Sequence, residues 1–102
     1  MATVSVTCVN YNGKEYLREC LISLYDQTYK DFEVIIVDNA SPDGSAQIIE
    51  KEFLNVKLIK NPENSGYCKA QNIAIKASSG TYVLTLNLDI ILDIVPFLSI
   101  VP

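Results

Sequence analysis

Histidine is absent from the sequence and cysteine is scarce, with three cysteines in 102 residues. Cys8, Cys20 and Cys68 lie far apart and have no histidine partner, so they do not match the ligand pattern of a zinc site. An odd number of widely spaced cysteines also does not suit a disulfide framework. This cysteine usage indicates a protein of a reducing cytosol.

Positive charge is scarce as well. The chain has 8 lysines and arginines against 12 acidic residues, which gives a formal net charge of −4. Proteins whose main partner is nucleic acid carry a basic stripe, and this sequence has no cluster of lysine and arginine. The composition therefore argues against nucleic acid, and an anionic small ligand would need a metal ion or backbone amides to balance its charge.

Long hydrophobic runs are also missing. A membrane-spanning helix needs about 20 apolar residues, whereas the apolar stretch 90–102 is shorter and is interrupted by Asp93 and Pro96. Residues 1–3 lack the basic and apolar regions of a secretory signal and run directly into a strand pattern. We expect one domain without a signal peptide or a membrane span.

Four short apolar runs predict β-strands, and the segments between them predict α-helices. The strands are expected at residues 3–9, 32–37, 56–60 and 82–86. Apolar residues recur at helical spacing in three intervening segments, which contain Leu17, Cys20, Leu21 and Leu24; Ala46, Ile49 and Phe53; and Ala70, Ile73, Ala74 and Ala77. Strands that alternate with helices predict an α/β fold with a mainly parallel sheet and helices on both of its faces.

The sequence also predicts where the second and third helices begin and how deeply the fourth strand is buried. Ser41 followed by Pro42 predicts the N-cap and the first residue of the second helix. The third helix is expected to begin near Asn64 and Ser65. Residues 81–86 are β-branched, aromatic or leucine, which predicts a buried strand that is central in the sheet and apolar on both sides.

Polar residues follow every predicted strand, and the carboxyl ends of parallel strands share one edge of the sheet. The groups in question are Asn10-Tyr11-Asn12-Gly13, Asp38-Asn39, the stretch 61–66, and Asn87-Leu88-Asp89. Taken singly, each group is explained by ordinary turn chemistry or by solvation. The presence of all four groups at one edge favours a binding cleft there, since ligands bind at that edge in open α/β sheets.

The absence of two common phosphate-binding motifs limits the class of ligand that this cleft could bind. The G-x-G-x-x-G pattern of dinucleotide-binding proteins does not follow the first strand, and no P-loop is present. A phosphate-bearing ligand would then depend on a divalent cation held by Asp89. Tyr11 offers a flat ring to a nucleobase, and Asp38 can accept a hydrogen bond from a base imide or a ribose hydroxyl. The residues alone therefore indicate a metal-assisted nucleotide site.

Five motifs in order resemble the donor-binding half of glycosyltransferase family 2, which has the Rossmann-like GT-A fold. The resemblance covers nearly the whole chain, 1–102, and implies the strand order third, second, first, fourth. The motifs are Val4-Ser5-Val6 through Asn10-Tyr11-Asn12, the stretch 34–45, Asn61-Pro62-Glu63-Asn64-Ser65-Gly66-Tyr67, Gln71-Asn72 and Leu86-Asn87-Leu88-Asp89.

The resemblance also implies roles for individual residues. Tyr11 would stack on the nucleobase, which Val9 and Asn10 would also line, and Asp38 would read the base or the ribose. Gly66 would allow the nucleotide to approach closely, and Asn72 would help to hold that loop or the donor. Asn87 and Asp89 occupy the family's Asp-x-Asp motif, in which Asp89 would bind Mg²⁺ or Mn²⁺ on the donor diphosphate.

Two positions depart from the family pattern. Asn87 replaces the first acidic residue, as in rhamnosyltransferase-like members, and leaves one carboxylate for the metal. Gln71 stands where many relatives carry an arginine that could neutralise the diphosphate. The family also has an acceptor-binding half with a general base, and none of the residues 1–102 can be assigned that role, so the catalytic residue stays unknown.

The resulting hypothesis is inverting transfer from a UDP- or dTDP-sugar to a saccharide or lipid-linked acceptor, in cell-envelope polysaccharide biosynthesis. We expect a cytoplasmic protein, or one peripheral to the inner face of the membrane, and little activity from this chain alone. The alternative is a non-catalytic nucleotide-binding or oligomerisation module. The apolar segment 90–102 favours self-association in either case, and an in-frame acceptor half beyond it would favour the enzyme.

Overall fold

The computed structural model describes residues 3–27 and 30–86. In chain order the elements are β1 (Val4–Asn10), α1 (Lys14–Tyr25), β2 (Phe32–Asp38), α2 (Ser45–Glu52), β3 (Lys57–Lys60), α3 (Tyr67–Lys76) and β4 (Tyr82–Leu86). The sheet has the order β3-β2-β1-β4, and every neighbouring pair is parallel. The predicted α/β class, the parallel pairing and the strand order are confirmed.

The sheet separates two hydrophobic clusters, and strand β2 contributes to both because alternate side chains of a strand point to opposite faces. Val34 and Ile36 belong to a cluster with the buried face of α1 and with Ile49 of α2. Ile35 and Val37 belong to a second cluster, which α3 completes with Ala70 and Ala74. Helices therefore cover both faces of the sheet, as the sequence predicts.

Helix α1 buries the four residues that its apolar periodicity selects: Leu17, Cys20, Leu21 and Leu24. Burial of each leucine side chain stabilises the fold by about 1.5–3 kcal/mol before entropy is counted. Within residues 3–27 and 30–86, no helix has the length and hydropathy that a membrane span requires.

The prediction that Ser41 and Pro42 begin the second helix is wrong. Helix α2 begins at Ser45, after Gly44 with a φ of 84°. The Ser41 N–H donates to the Asp38 carboxylate, and this bond folds residues 39–44 into a loop instead of a first helical turn. Helix α3 also begins later than expected, at Tyr67, because Gly66 has a φ of 87° and a ψ of 162°, which is not helical backbone.

The expectation of a central, buried fourth strand is also wrong for the described residues. Strand β4 pairs with β1 and lies at one edge of the described sheet. Tyr82 is 46% exposed and Val83 is 42% exposed, whereas Leu86 is buried. An apolar, β-branched composition identifies the strand correctly, but burial depends on which elements pack against it.

Candidate nucleotide-binding site

The candidate site lies at the carboxyl edge of the sheet, where three loops follow β1, β2 and β3. The first rim loop is residues 11–13, the second is residues 39–44, and the third is residues 61–66. Parallel pairing places these loops side by side, in the order third, second, first. Ligands bind at this edge in open α/β sheets.

The last residues of β1 and β2, Asn10 and Asp38, are direct partners in the strand register. Both are buried, with 1% and 3% of their surface exposed. Asn10 Nδ2 donates to Asp38 Oδ1 over 2.7 Å, and the Ser41 N–H donates to Asp38 Oδ2 over 3.1 Å. The Asp38 carboxylate is therefore fixed in orientation, and each oxygen keeps one further lone pair for another donor.

Ser41 joins the first and second rim loops. Its hydroxyl oxygen accepts hydrogen bonds from the Asn12 N–H over 3.0 Å and from Asn10 Nδ2 over 3.2 Å. Asn10 Nδ2 also lies 2.7 Å from Ser45 Oγ at the start of α2. These bonds fix the backbone on both sides of Tyr11, whose side chain is 50% exposed and available to a ligand.

Asp43 joins the second rim loop to the first turns of two helices. Its carboxylate accepts bonds from the Ser45 N–H and hydroxyl over 3.0 and 2.6 Å, and from the Lys14 N–H over 3.2 Å. Burial opposes ionisation, but these hydrogen bonds outweigh it and hold the pKa of Asp43 below its usual range. The side chain that bonds to the first residue of α2 is therefore that of Asp43, whereas the sequence predicted Ser41 in this role.

The second rim loop contains a backbone feature that the sequence does not reveal. Ala40 has a φ of 62°, and Asn12 in the first rim loop has a φ of 54°. Alanine rarely adopts this left-handed region, which costs about 1–2 kcal/mol for a residue with a Cβ. Strain of this kind persists where surrounding bonds determine the backbone, and it is common at ligand sites.

The third rim loop is held by Asn39, a buried residue of the second rim loop. Asn39 bonds to Asn61, Asn64, Ser65 and Gly66 through its side chain. The sequence analysis placed Asn39 at this edge but gave it no role, and it took Ser41 as a helix cap and Ser45 only as part of a motif, because serine and asparagine after a strand also fit ordinary turns. The available signal was the repetition of polar residues after adjacent strands.

Asn72 lies on a groove that two other predicted residues, Tyr11 and Asp38, do not line. Asn72 is exposed on α3 and lines this groove, of about 360 Å³, together with Asn61, Ser65 and Lys69. Val9 is half-buried and packs against the cluster under α3, so it supports the first rim loop from below.

The predicted metal ligand Asp89 and its neighbour Asn87 lie outside the described residues. Within the described ranges, no group of three acidic, cysteine or histidine side chains could hold a cation. The Asp38 and Asp43 carboxylates both accept hydrogen bonds from the protein.

Comparisons with known proteins agree with this architecture. The model of the Glycosyl transferase family 2 matches residues 5–94. The putative teichuronic acid biosynthesis glycosyltransferase TuaG of Bacillus subtilis (strain 168) is 36% identical over 89 residues, which are 84% of this chain and 35% of TuaG.

Two solved structures are similar to this chain in both fold and sequence. Residues 1–349 of S. aureus TarS in complex with UDP-GlcNAc have a TM-score of 0.79 and 38% identity, over 87% of this chain and 27% of that chain. The mannosyltransferase PcManGT from Pyrobaculum calidifontis, in complex with GDP-Man and Mn²⁺, has a TM-score of 0.79 and 29% identity, over 85% of this chain and 27% of that chain. This chain spans between 27% and 35% of the length of the three relatives. Because the family model covers most of it, the chain belongs to glycosyl transferase family 2.

Proposed function

We propose that this chain forms the nucleotide-binding part of a glycosyltransferase that uses a nucleoside-diphosphate sugar, with UDP- or dTDP-sugars preferred. The observation that carries the proposal is the fixed Asp38 carboxylate at the carboxyl edge, with the half-exposed Tyr11 directly after its strand partner Asn10. The TarS complex with UDP-GlcNAc and the PcManGT complex with GDP-Man support it, since both relatives share this fold.

Asp38 supplies the base preference. Its two oxygens each accept one protein hydrogen bond, so each can accept another from a ligand N–H or hydroxyl. Uracil and thymine present an imide N–H, whereas cytosine presents an acceptor at the same ring position. A fixed carboxylate therefore favours uridine and deoxythymidine nucleotides over cytidine nucleotides.

Tyr11, Gly66 and the residues near them shape the rest of the site. Stacking of a base on an aromatic ring is worth about 1–3 kcal/mol, and the exposed ring of Tyr11 supplies it, with Val9 and Asn10 beneath. A Cβ placed on Gly66 would meet no heavy atom of the described residues within 4 Å, which supports a close approach of the nucleotide here. Asn72 helps to hold the third rim loop from the outer side of α3.

The donor diphosphate needs charge compensation that the described residues do not supply. Asp89 is the proposed ligand for Mg²⁺ or Mn²⁺, with Asn87 beside it and the diphosphate oxygens completing the coordination. When bound, the cation stabilises the negative charge of the departing nucleoside diphosphate. The Mn²⁺ in the PcManGT complex supports a divalent cation at this fold.

Inverting transfer to a saccharide or lipid-linked acceptor also needs a general base near the acceptor hydroxyl. We assign that role to no residue of this chain, and general-base assistance is worth about 10²–10⁴ in rate. The chain alone is therefore expected to bind donor without detectable transfer, which assays with radiolabelled donor would check. Nucleotide binding without transfer in any longer form would instead favour a non-catalytic module.

Calorimetry with UDP, dTDP, CDP and GDP, each with and without Mn²⁺, tests the proposal. We expect UDP and dTDP to bind more tightly than CDP, and Mn²⁺ to strengthen binding. Asp38→Asn should weaken UDP binding by about 10-fold or more, because the amide presents a donor where the carboxylate accepts. Ser78→Ala, which removes an exposed hydroxyl far from the rim loops, is the matched control.

Two results would overturn parts of this proposal. Equal affinity for CDP and UDP in the parent chain would remove the role of Asp38 in base selection. Unchanged Mn²⁺-dependent binding by Asp89→Ala would show that Asp89 is not the metal ligand.

A further inference from the structure

Asn39 follows Asp38 directly and is buried, with 2% of its surface exposed. Its backbone N–H donates to the Asn10 carbonyl oxygen over 2.8 Å, which continues the ladder between β1 and β2. Its side-chain amide is occupied by hydrogen bonds within the protein, which leaves neither N–H for a ligand. Any effect of Asn39 on binding must therefore act through the residues that it contacts.

The Asn39 side chain uses both its donor and its acceptor on the third rim loop. Nδ2 donates to Asn64 Oδ1 over 3.1 Å and to the Gly66 carbonyl oxygen over 3.2 Å. Oδ1 accepts from Asn61 Nδ2 over 2.9 Å, from the Ser65 N–H over 3.2 Å and from Ser65 Oγ over 3.3 Å. One amide thus binds four residues of a loop that is more than 20 positions away in sequence.

The side chain of Asn39 joins the third rim loop to the second, beside a backbone bond from the Asn61 N–H to the Asp38 carbonyl oxygen over 2.8 Å. In residues 3–27 and 30–86, each side-chain hydrogen bond between this loop and another loop ends on Asn39. The other side-chain bonds of the loop are internal, from Asn61 to Ser65 and from the Gly66 N–H to Asn64. Gly66 has a φ of 87° with a ψ of 162°, a conformation open to glycine but not to other residues, so several backbone shapes compete at this position and the bonds from Asn39 select one.

We propose that Asn39 is a positioning residue for nucleotide affinity, because it holds the third rim loop, with Gly66, beside Asp38. This inference rests on the proposed nucleotide-binding function. Only an amide combines two N–H donors with an acceptor at this length. An aspartate of the same shape has no donor when ionised, and its carboxylate would face the Gly66 carbonyl and Asn64 Oδ1.

The test compares the parent, Asn39→Asp and Asn61→Ala in the full-length chain. Calorimetry with UDP and Mn²⁺ is run at several pH values, at a temperature where thermal melts show every variant to be folded. We expect Asn39→Asp to weaken UDP binding by about 10-fold or more at neutral pH, because buried acceptors then face each other. Relative to the parent at the same pH, part of the affinity should return on acidification, since a protonated carboxyl regains one donor.

Asn61→Ala removes one donor to Asn39 from an accessible loop and keeps the inference testable if Asn39→Asp does not fold. It should weaken UDP binding a few-fold. The control is Ser5→Ala, which removes a fully buried hydroxyl that bonds Glu33 and Gly80 at the opposite end of the sheet. This variant should lose stability and keep the parent's affinity.

The outcomes separate this inference from the proposed function. Failure of the parent to bind any nucleotide overturns the proposed function, and the inference with it. Binding by the parent with unchanged affinity in folded Asn39→Asp and Asn61→Ala overturns only the inference. Equal loss of affinity in Ser5→Ala also overturns it, because that result would trace affinity to overall stability.

Discussion

The two ends of the sheet both contain polar side chains that bond to one another, but they use these side chains differently. At the amino end, Glu33 Oε2 accepts bonds from Ser5 Oγ over 2.5 Å and from the N–H and hydroxyl of Ser79 over 2.7 and 2.9 Å. Ser5 Oγ in turn accepts from the Gly80 N–H over 2.8 Å. We call these four residues the amino-end clasp. It joins the approach to β4 to β1 and β2 through hydrogen bonds among its own members.

At the carboxyl end, similar bonds connect three loops and leave selected groups available. Asp38 keeps unused lone pairs, and Tyr11 exposes half of its surface. The amino-end clasp therefore joins strands to one another, whereas the rim loops form the candidate site. Hydrogen-bonded polar groups at a sheet edge are not by themselves a sign of function. The carboxyl end is the candidate site because a buried carboxylate with unused lone pairs and an exposed aromatic ring occur there together.

Two glycines show the same contrast. A Cβ on Gly80 would lie 2.7 Å from the Ser5 backbone nitrogen, so glycine is required there for close packing. A Cβ on Gly66 would meet no atom of residues 3–27 and 30–86 within 4 Å, so among these residues glycine is required there for its φ of 87° and not for space. One position lacks space for a side chain, and the other requires glycine for its backbone conformation.

Gly80→Ala is expected to have the largest effect on stability. The new Cβ meets backbone atoms of β1 that cannot rotate away, so the free energy of unfolding should fall by about 3 kcal/mol, at the upper end for overpacking. Urea denaturation measures this loss. The folded fraction should keep the parent's affinity for UDP, and an unchanged denaturation midpoint would contradict the close packing.

Gly66→Ala is expected to have a smaller effect on stability and a larger effect on binding. The alanine must adopt a positive φ, which costs about 1–2 kcal/mol or forces the third rim loop to move. Urea denaturation and UDP calorimetry on the same preparation measure both quantities. If Gly66→Ala loses stability without losing affinity, the third rim loop is not part of the site.

Glu33→Gln is expected to have the smallest effect, and one that depends on pH. Burial opposes ionisation, but hydrogen bonds from Ser5 and Ser79 and the charge of Lys57 hold the pKa of Glu33 below its usual range. Because the folded pKa is lower than the unfolded value of about 4.3, the carboxylate stabilises the fold above that pH. This contribution is lost as the pH falls through the folded pKa.

The parent should therefore lose more stability than Glu33→Gln between neutral pH and pH values below about 4. Thermal melts across this range measure the difference. Asp43→Asn provides the counterpart at the carboxyl end, since hydrogen bonds also lower the pKa of Asp43. Parallel acid profiles of the parent and Glu33→Gln would show that the clasp does not depend on the charge of Glu33.

Much of the fold was predictable because it follows from local periodicity. The buried stripe of α1 and the alternation of strands and helices are properties of neighbouring residues, and both are confirmed. The start of α2 was not predictable from Ser41 and Pro42, since Asp38 captures the Ser41 N–H from the preceding strand end. The exposure of β4 was missed for a similar reason, because its composition does not state which elements cover it.

The candidate site was predictable only in outline. Tyr11, Asp38 and Gly66 stand out in the sequence as polar, aromatic or glycine positions after strands, and the structure puts their loops on one edge. Asn39 does not stand out, because its role depends on a loop more than 20 residues further along the chain. The roles of Asn87 and Asp89 remain proposals, since these residues lie outside the described part.

The sequence by itself determined the family, the order of the elements and the edge of the sheet where polar residues collect, because these depend on short motifs and on the direction of each strand. The tertiary structure decided which polar groups are consumed in binding the loops together and which stay available. That distinction needs distances between residues far apart in the chain, as between Asn10 and Ser45. Hydrogen-bond satisfaction is a property of the folded arrangement, and no local pattern encodes it.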